Sequence, residues 1–541
     1  MSKFNRAASN AAARPEVDEA TNVVVTAVGT AKSPIKTRKT VTGVTGQGAP
    51  GYEHGDKSAL FLLAVTNMVS EDTFYEKAGD RDERFENLVT RVAIKDPEWI
   101  IGFFGWLRSE ANMRSASLVG ALVAAQAMVM VGVPGARQMV TSVLQRADEP
   151  GEALAYWIKM FGRNIPKPVK RGIADAATRL YNEYTTLKYD TASHAVRFGD
   201  VLDLTHPKAT AQWQANLYRY VLAMRHNRDE IPEVGPGLPM ILANHALRSA
   251  GAELPELLLN SEHLRRAGMT WEDALSLVGS KVDKGKLWEA MIPSMGYMAL
   301  LRNLRNFDKA NVSDEVAQQV IERLSDPAQV ARSRQFPFRF LAAYRATAGT
   351  SVRWAAALEK ALSASVSNIP ELPGRTLVLV DRSGSMFMPM SGRTELDRSD
   401  AAAVFGGAVA LRNAGRVTLV QFDDSSREIP VPTGRGSLLK LVEKFTGGGG
   451  TSTAAAVRKH FNGHDRVIIV TDEQSNGGDP SGVIPKNVPL YTWNLAGYQF
   501  TGTSGGSKRH TFGGLTDSAF KLIPMLEAGV DQGWPWEVDA G

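Results

Sequence analysis

Asp381, Ser383 and Ser385 follow directly on an apolar run, in the stretch TLVLVDRSGSM spanning 376–386. Spacing of i, i+2 and i+4 past a strand end gathers one carboxylate and two hydroxyls on one side of the chain. Such donors suit a hard divalent cation, because Mg²⁺ takes oxygen ligands and keeps several waters. Taken alone, the stretch fits a strand-to-helix turn capped by Asp or Ser equally well. Two further loops extend the cation reading. GGGGTST (447–453) lets backbone come close and then offers threonine hydroxyls, at Thr451 and Thr453, while DRVIIVTDEQS (465–475) ends another apolar run on Asp472. If these runs are strands of one parallel sheet, their C-terminal ends share the edge at which open α/β sheets bind ligands. Asp381, Ser383, Ser385, Thr451 and Asp472 then converge on one ion, and the absence of His and Cys from the set disfavours zinc.

Other chemistries fit this edge less well. A phosphotransferase built on an aspartyl nucleophile wants a second acid two residues on, where Ser383 stands. The sequence has no GxxxxGK[ST] phosphate loop and no GxGxxG opening the first strand-helix turn. A serine nucleophile needs a positioned histidine, and none is near in sequence. Carboxylates and hydroxyls without a general base argue for binding rather than turnover, so the chain is expected not to be an enzyme. A metal with one open position accepts a carboxylate from a partner, which makes the site a docking point.

The elements that must position these residues change character along the chain. Past SNIPELPGR (367–375), the strands TLVLV, RVTLVQF, DRVIIVTD and LYTWNLA alternate with the helices SDAAAVFGGAVALRNAG, SLLKLVEKF and TAAAVRKHF. This βαβ succession predicts a mostly parallel sheet covered on both faces, over 369–541. SREIPVP reads as a short antiparallel excursion at its edge. Over 51–368 the apolar spacing is helical almost throughout, as in ERFENLVTRVAI and TAQWQANLYRYVLAMRH. Asp96-Pro97 and Pro134 stand where helices should start. Many helices of ordinary length with short connections predict an α-solenoid of HEAT type. The uncharged stretch SASLVGALVAAQAMVMVGV (115–133) is long enough to span a bilayer, but it is Ala/Gly-rich, has Gln126 and lacks a second such stretch, so a buried helix and no membrane are expected. Residues 1–50 read as a mobile tail ending in a short extended segment, TVTGVTGQGAPG.

Charge is unevenly shared. The net charge is +5, yet 375–541 holds 17 basic and 17 acidic residues, leaving 45 and 40 for the rest. Within 159–228 there are 12 basic against 5 acidic residues, a field that attracts polyanions. Lys167, Lys170 and Arg171 share a helical face there by three- and four-residue spacing. The chain has no cysteine, which excludes disulfides and thiol catalysis and fits a reducing compartment. The N-terminus has no apolar core of a secretory signal and carries acids, so a cytoplasmic protein is expected.

Two resemblances add to this reading. DxSxS, then a threonine, then an aspartate, in that order, resembles the metal-ion-dependent adhesion site of von Willebrand factor A domains. The resemblance implies Mg²⁺, with Mn²⁺ as an alternative, and favours Thr451 over Thr453 because the family's threonine commonly follows the glycines directly. The helical region resembles the TROVE module of Ro autoantigens and their bacterial relatives. MTWEDALSLVGSKVDKGKLWEAMIPSMGYMALLRNLRNF (269–307) carries it best, supported by RSRQFPFRFLAAYRA, KPVKRGIADAATRLYNEY and FGDVLDLTHPKA. The domain order matches as well.

That family resemblance implies a closed, monomeric ring of HEAT-like helices. Single-stranded ends of misfolded RNA enter its basic hole, small Y RNAs bind outside, and a 3′→5′ exoribonuclease of the polynucleotide phosphorylase type is a partner. It assigns RNA contacts to Arg163, Lys167, Lys170, Arg171, Arg197, His206 and Lys208. Phe198 stands where vertebrate members have a histidine, so stacking on RNA could carry over there but hydrogen bonding could not. The alternative function is a metal-dependent protein-docking scaffold whose helical part binds peptide. An ATP-dependent assembly factor of the chelatase type is a third and weaker reading, for want of a Walker motif.

Overall fold

The computed structural model describes residues 31–66, 69–226, 237–279, 281–348, 351–367, 369–389, 396–432, 437–516 and 518–537. Of the expected tail, residues 1–30 lie outside this set.

Helices follow one another from Asp56–Ala64 to Ala355–Ser365, starting where local chemistry directs. At Pro97–Ser109 the Asp96 carboxylate accepts from Trp99 N at 3.1 Å, with Pro97 in the first helical position. At Ala136–Val143 the helix opens two residues past Pro134, after Gly135 at φ 114°. The helix Arg114–Val131, uncharged after its first residue, is long and apolar enough to cross a membrane, and 61% of it is buried, packed on its neighbours Ala78–Lys95, Pro97–Ser109 and Ala136–Val143.

Helices of the array are tied to one another by bonds between side chains and backbone. Gln214 donates to Thr178 O at 2.7 Å, Ile241 N to Glu183 at 2.9 Å, Asn244 to Ala267 O at 2.8 Å, and Arg323 to Met295 O at 2.6 Å. The array then returns on itself. Asn112 Nδ2 donates to Arg334 O at 2.7 Å, and the Arg334 guanidinium donates to Ser109 O, so the early and late helices close a ring.

The α/β unit holds a six-stranded sheet in the order β5-β4-β3-β6-β7-β9. Its strands are β3 (Thr376–Asp381), β4 (Val417–Phe422), β5 (Ser426–Glu428), β6 (Arg466–Thr471), β7 (Leu490–Asn494) and β9 (Arg509–Gly513). All pair in parallel except the edge strand β5, the expected antiparallel excursion. Period-two alternation on β3 sends Leu377 and Leu379 into one apolar cluster and Val378 and Val380 into the other. β4 and β6 flank β3 on opposite sides, so the strand order reverses between β3 and β6 and opens a crevice at their C-terminal ends.

The expected boundaries need two corrections. Residues 31–50 do not trail as a mobile tail. β1 (Gly43–Val44) and β2 (Pro50–Glu53) form a small antiparallel sheet with β8 (Phe500–Thr501), paired at Tyr52↔Thr501. The C-terminal segment in turn reaches back to the ring, where Trp534 and Trp536 pack on Trp99, each with ring centroids 5.1 Å apart. Composition-based segmentation could not see this exchange, because both pieces are short and their partners lie more than 400 residues away.

Contacts on two sides seat the α/β unit on the ring. On one side Arg84 donates to Gly497 O at 2.8 Å, and Gly497 lies so close to Leu62 O that a Cβ there would come within 2.6 Å. On the other, Arg345 pairs with Asp400 at 2.7 Å and Ser437 Oγ donates to Glu359 at 2.6 Å.

Candidate metal centre and candidate nucleic-acid interface

Buried β3 delivers Asp381 to the crevice with no exposed surface, and β6 delivers Asp472 likewise. Ser383 N donates to Asp381 Oδ1 at 2.8 Å, which folds the loop back on itself, and the Ser383 and Ser385 hydroxyls stand 3.3 Å apart. Thr471 Oγ1 donates to Asp381 Oδ2 at 2.5 Å. Gln474 N donates to Asp472 Oδ1 at 3.0 Å, and Ser385 also hydrogen-bonds to Asp472. The glycine loop fits against this turn because it has no side chains. A Cβ on Gly447 would sit 2.4 Å from Arg382 O, and Gly384 N donates to Gly449 O at 2.7 Å. Thr451 emerges from that loop fully buried.

The structure thus brings Asp381, Ser383, Ser385 and Asp472 together directly, and links Thr451 to them. Gln47 Nε2 lies 2.9 Å from both Thr451 Oγ1 and Tyr75 OH, and Tyr75 in turn hydrogen-bonds to Ser385. Among the described residues Thr453 makes no comparable link; it opens the Thr453–His460 helix.

The electrostatics mark this as a place for a cation. Burial first, then the charge of Asp472, raises the Asp381 carboxyl well above the ordinary range, and burial also raises Asp472. Two carboxylates without water strongly disfavour sharing their negative charge unless a cation or proton joins them. Asp472 Oδ2 is buried without a hydrogen-bond partner among the described residues. An orphaned anionic oxygen amid hydroxyls fits a hard divalent ion, and Asp381, Ser383, Ser385, Thr451 and Asp472 would hold it.

The cationic residues stand differently. Arg163 and Lys167 are exposed on the approach to the Lys167–Leu180 helix and at its start, Arg171 is exposed one turn on, and Lys170 is half-buried. His206 and Lys208 are exposed on the connection after Phe198–Thr205, where His206 holds a left-handed φ of 51° as helix cap. None of these six forms an ion pair among the described residues. No hydrogen bond joins the Lys167 group to the His206 group there either.

Two calls change. Arg197 is taken up by Asp190, at 3.0 and 3.1 Å, so its guanidinium braces the turn before Phe198–Thr205. Phe198 is 3% exposed and stacks on Tyr181 with centroids 3.8 Å apart, so it packs the core and no RNA base can stack on it.

Sequence reading missed several neighbours. Glu473 is buried at φ 61° and accepts from Asn494 at 2.6 Å, a strained position of the kind that gathers at functional sites. Gln47 and Tyr75 come from segments read as tail and helix. No motif marks them, because only the folded chain carries them to Thr451.

Residues 263–351, within the helical ring, match the TROVE domain family. The chain is 43% identical over 77 residues to telomerase protein component 1 of Mus musculus, and 42% identical over 77 residues to that of Rattus norvegicus. Those matches cover 14% of this chain and 3% of each relative. It is 29% identical over 226 residues to the RNA-binding protein RO60 of Deinococcus radiodurans, covering 38% of this chain and 42% of that one. The fold also matches the crystal structure of the Deinococcus radiodurans RO (RSR) protein, with a TM-score of 0.58 and 19% identity, over 88% of this chain and 99% of that one. The chain is thus similar to TROVE-domain proteins over 263–351, and its fold is that of the Deinococcus protein.

Proposed function

We propose that this chain binds RNA through its ring. It holds small structured noncoding RNA of the Y type on the outer surface and takes single-stranded 3′ ends of misfolded RNA for RNA quality control. One observation carries the reading: Lys167, Lys170 and Arg171 crowd the first turns of the Lys167–Leu180 helix, which has no acid in its first turn. Cations there oppose the helix dipole, at a cost of about 0.3–1 kcal/mol each. A sequence that accepts this cost concentrates positive field where a phosphate would neutralise it. Support comes from the TROVE match and from the Deinococcus relative named an RNA-binding protein.

The metal centre serves a second task in this reading. A bound Mg²⁺, or Mn²⁺, supplies a Lewis-acidic point that takes an acidic side chain of a protein partner. Asp381 and Asp472 hold the ion's charge, Ser383, Ser385 and Thr451 set its place, and the glycine loop leaves the approach narrow. The partner that removes nucleotides is a separate 3′→5′ exoribonuclease of the polynucleotide phosphorylase type, because the proposed ligands include no general base besides the ligating carboxylates. A cysteine-free chain of this kind works in the cytoplasm.

The test is whether RNA accompanies the protein from its own cells, read as absorbance at 260 against 280 nm, and whether end-labelled RNA stays intact in Mg²⁺. Copurifying RNA left uncut supports the reading. Protein free of RNA that also fails to bind added RNA would favour the peptide-docking scaffold, and cleavage lost in Asp472→Ala would make the crevice catalytic.

A further inference from the structure

The strand-turn-strand at 43–53 does more than complete a small sheet. Its turn, Thr45-Gly46-Gln47-Gly48, lies over the crevice and is fastened there from both sides. Thr45 Oγ1 donates to Ser475 O at 2.9 Å and accepts from Ala49 N at 3.1 Å, while Gly46 N donates to Gln474 Oε1 at 2.6 Å. Gln474 and Ser475 lie two and three residues past Asp472, so the turn is tied to the loop that carries a proposed metal ligand.

The turn's sequence suits this seat. A Cβ on Gly46 would meet the Tyr75 ring at 2.3 Å, and Gly48 has a φ of 82° that L side chains rarely adopt. Between these glycines, Gln47 points its amide inward and places Nε2 2.9 Å from Thr451 Oγ1 and 2.9 Å from Tyr75 OH. Tyr75 is itself bonded to Ser385 and feels the charge of Asp472. Gln47 and Tyr75 therefore span the side of the crevice between Thr451, Ser385 and Asp472.

We propose that Gln47 is the chain's own occupant of the open side of the metal site, competing with the acidic side chain of a docking partner for the place beside Thr451. A half-turn of the amide exchanges Nε2 for Oε1 with no change of shape and offers a neutral oxygen to a hard cation. A carboxylate is a stronger ligand for the same ion because it adds charge. The partner of this site is thus an acidic residue that displaces a neutral amide. Moving the Gln47 amide aside breaks its two hydrogen bonds, to Thr451 Oγ1 and Tyr75 OH, and need not unfasten the turn. Displacement costs few hydrogen bonds and leaves the parallel sheet intact.

This inference rests on the metal-docking reading, and the experiment separates their failures. Mn²⁺ is titrated into the full-length protein, and fast-exchanging water on the ion is counted from proton relaxation. Asp381→Ala serves as the blank. Wild type should bind Mn²⁺ and show little such water, while Gln47→Ala should bind Mn²⁺ and gain about one water. Gln47→Glu keeps the shape and adds charge, and should tighten Mn²⁺ by about tenfold. Mn²⁺ bound with equal hydration in wild type and Gln47→Ala, or with unchanged affinity in Gln47→Glu, would overturn the role of Gln47 while leaving the metal site standing. Wild type that binds no more Mn²⁺ than Asp381→Ala would overturn both.

Discussion

At the sheet edge, the five proposed ligands are all but fully buried, and Asp381, Ser383 and Asp472 already hold bonds to neighbouring backbone or hydroxyls. Along the Lys167–Leu180 helix, Lys167 and Arg171 stand in solvent with no carboxylate partner among the described residues. The difference teaches what each surface can recognise. Oxygens fixed by backbone select a small hard ion by distance and charge, and they tolerate little change. Long cationic side chains in water read no fixed shape; they attract phosphates, and salt weakens them. Discrimination at the first surface is a property of the fold, and at the second it is a property of the field.

The comparison breaks most visibly at Asp381. Asp381→Ala should abolish Mg²⁺ and Mn²⁺ binding in calorimetry and leave RNA affinity unchanged, since the ligands belong to the α/β unit. Lost RNA affinity in the folded variant would mean that the two surfaces act as one. Next in size is Phe198→Ala, which empties a stacked core position and should cost about 3–5 kcal/mol in denaturant unfolding. An exposed RNA-stacking residue would change stability by no more than about 0.5 kcal/mol.

These two sites also show how far the sequence could be read. DxSxS, the glycine loop and Asp472 were legible because parallel strands put their C-terminal ends on one edge, so alternation and order sufficed. The βαβ succession was legible for the same reason, down to the antiparallel β5, although β9 was not picked out. The turn over the crevice was not legible. TVTGVTGQGAPG shows two glycine-bounded turns, but nothing local says that Gln47 will meet Thr451, 404 residues away. Arg197 and Phe198 failed for a related reason. A family position reports where the chain passes, while Asp190 and Tyr181 decide whether the side chain faces RNA.

Smaller effects sharpen the ring side of the comparison. Lys170→Glu with Arg171→Glu should weaken structured RNA on the order of tenfold at low salt, and should lower the slope of log affinity against log salt by about 0.7–0.9 per lost contact. An unchanged slope would move the RNA surface elsewhere on the ring. Asn112→Ala removes one of the bonds that close the ring and should cost about 1 kcal/mol of stability, read from unfolding curves. RNA affinity should follow only if the closed form is the one that binds.

The central claim is that RNA lies on the cationic ring surface and not on the metal crevice. Ultraviolet crosslinking of bound RNA to the full-length protein, followed by mass spectrometry of the crosslinked peptides, reads this directly. The account predicts crosslinks within 159–171 and around His206 and Lys208, unchanged when EDTA removes the metal. Crosslinks concentrated on 381–385, 447–453 or 472–476, or lost with EDTA, would contradict it.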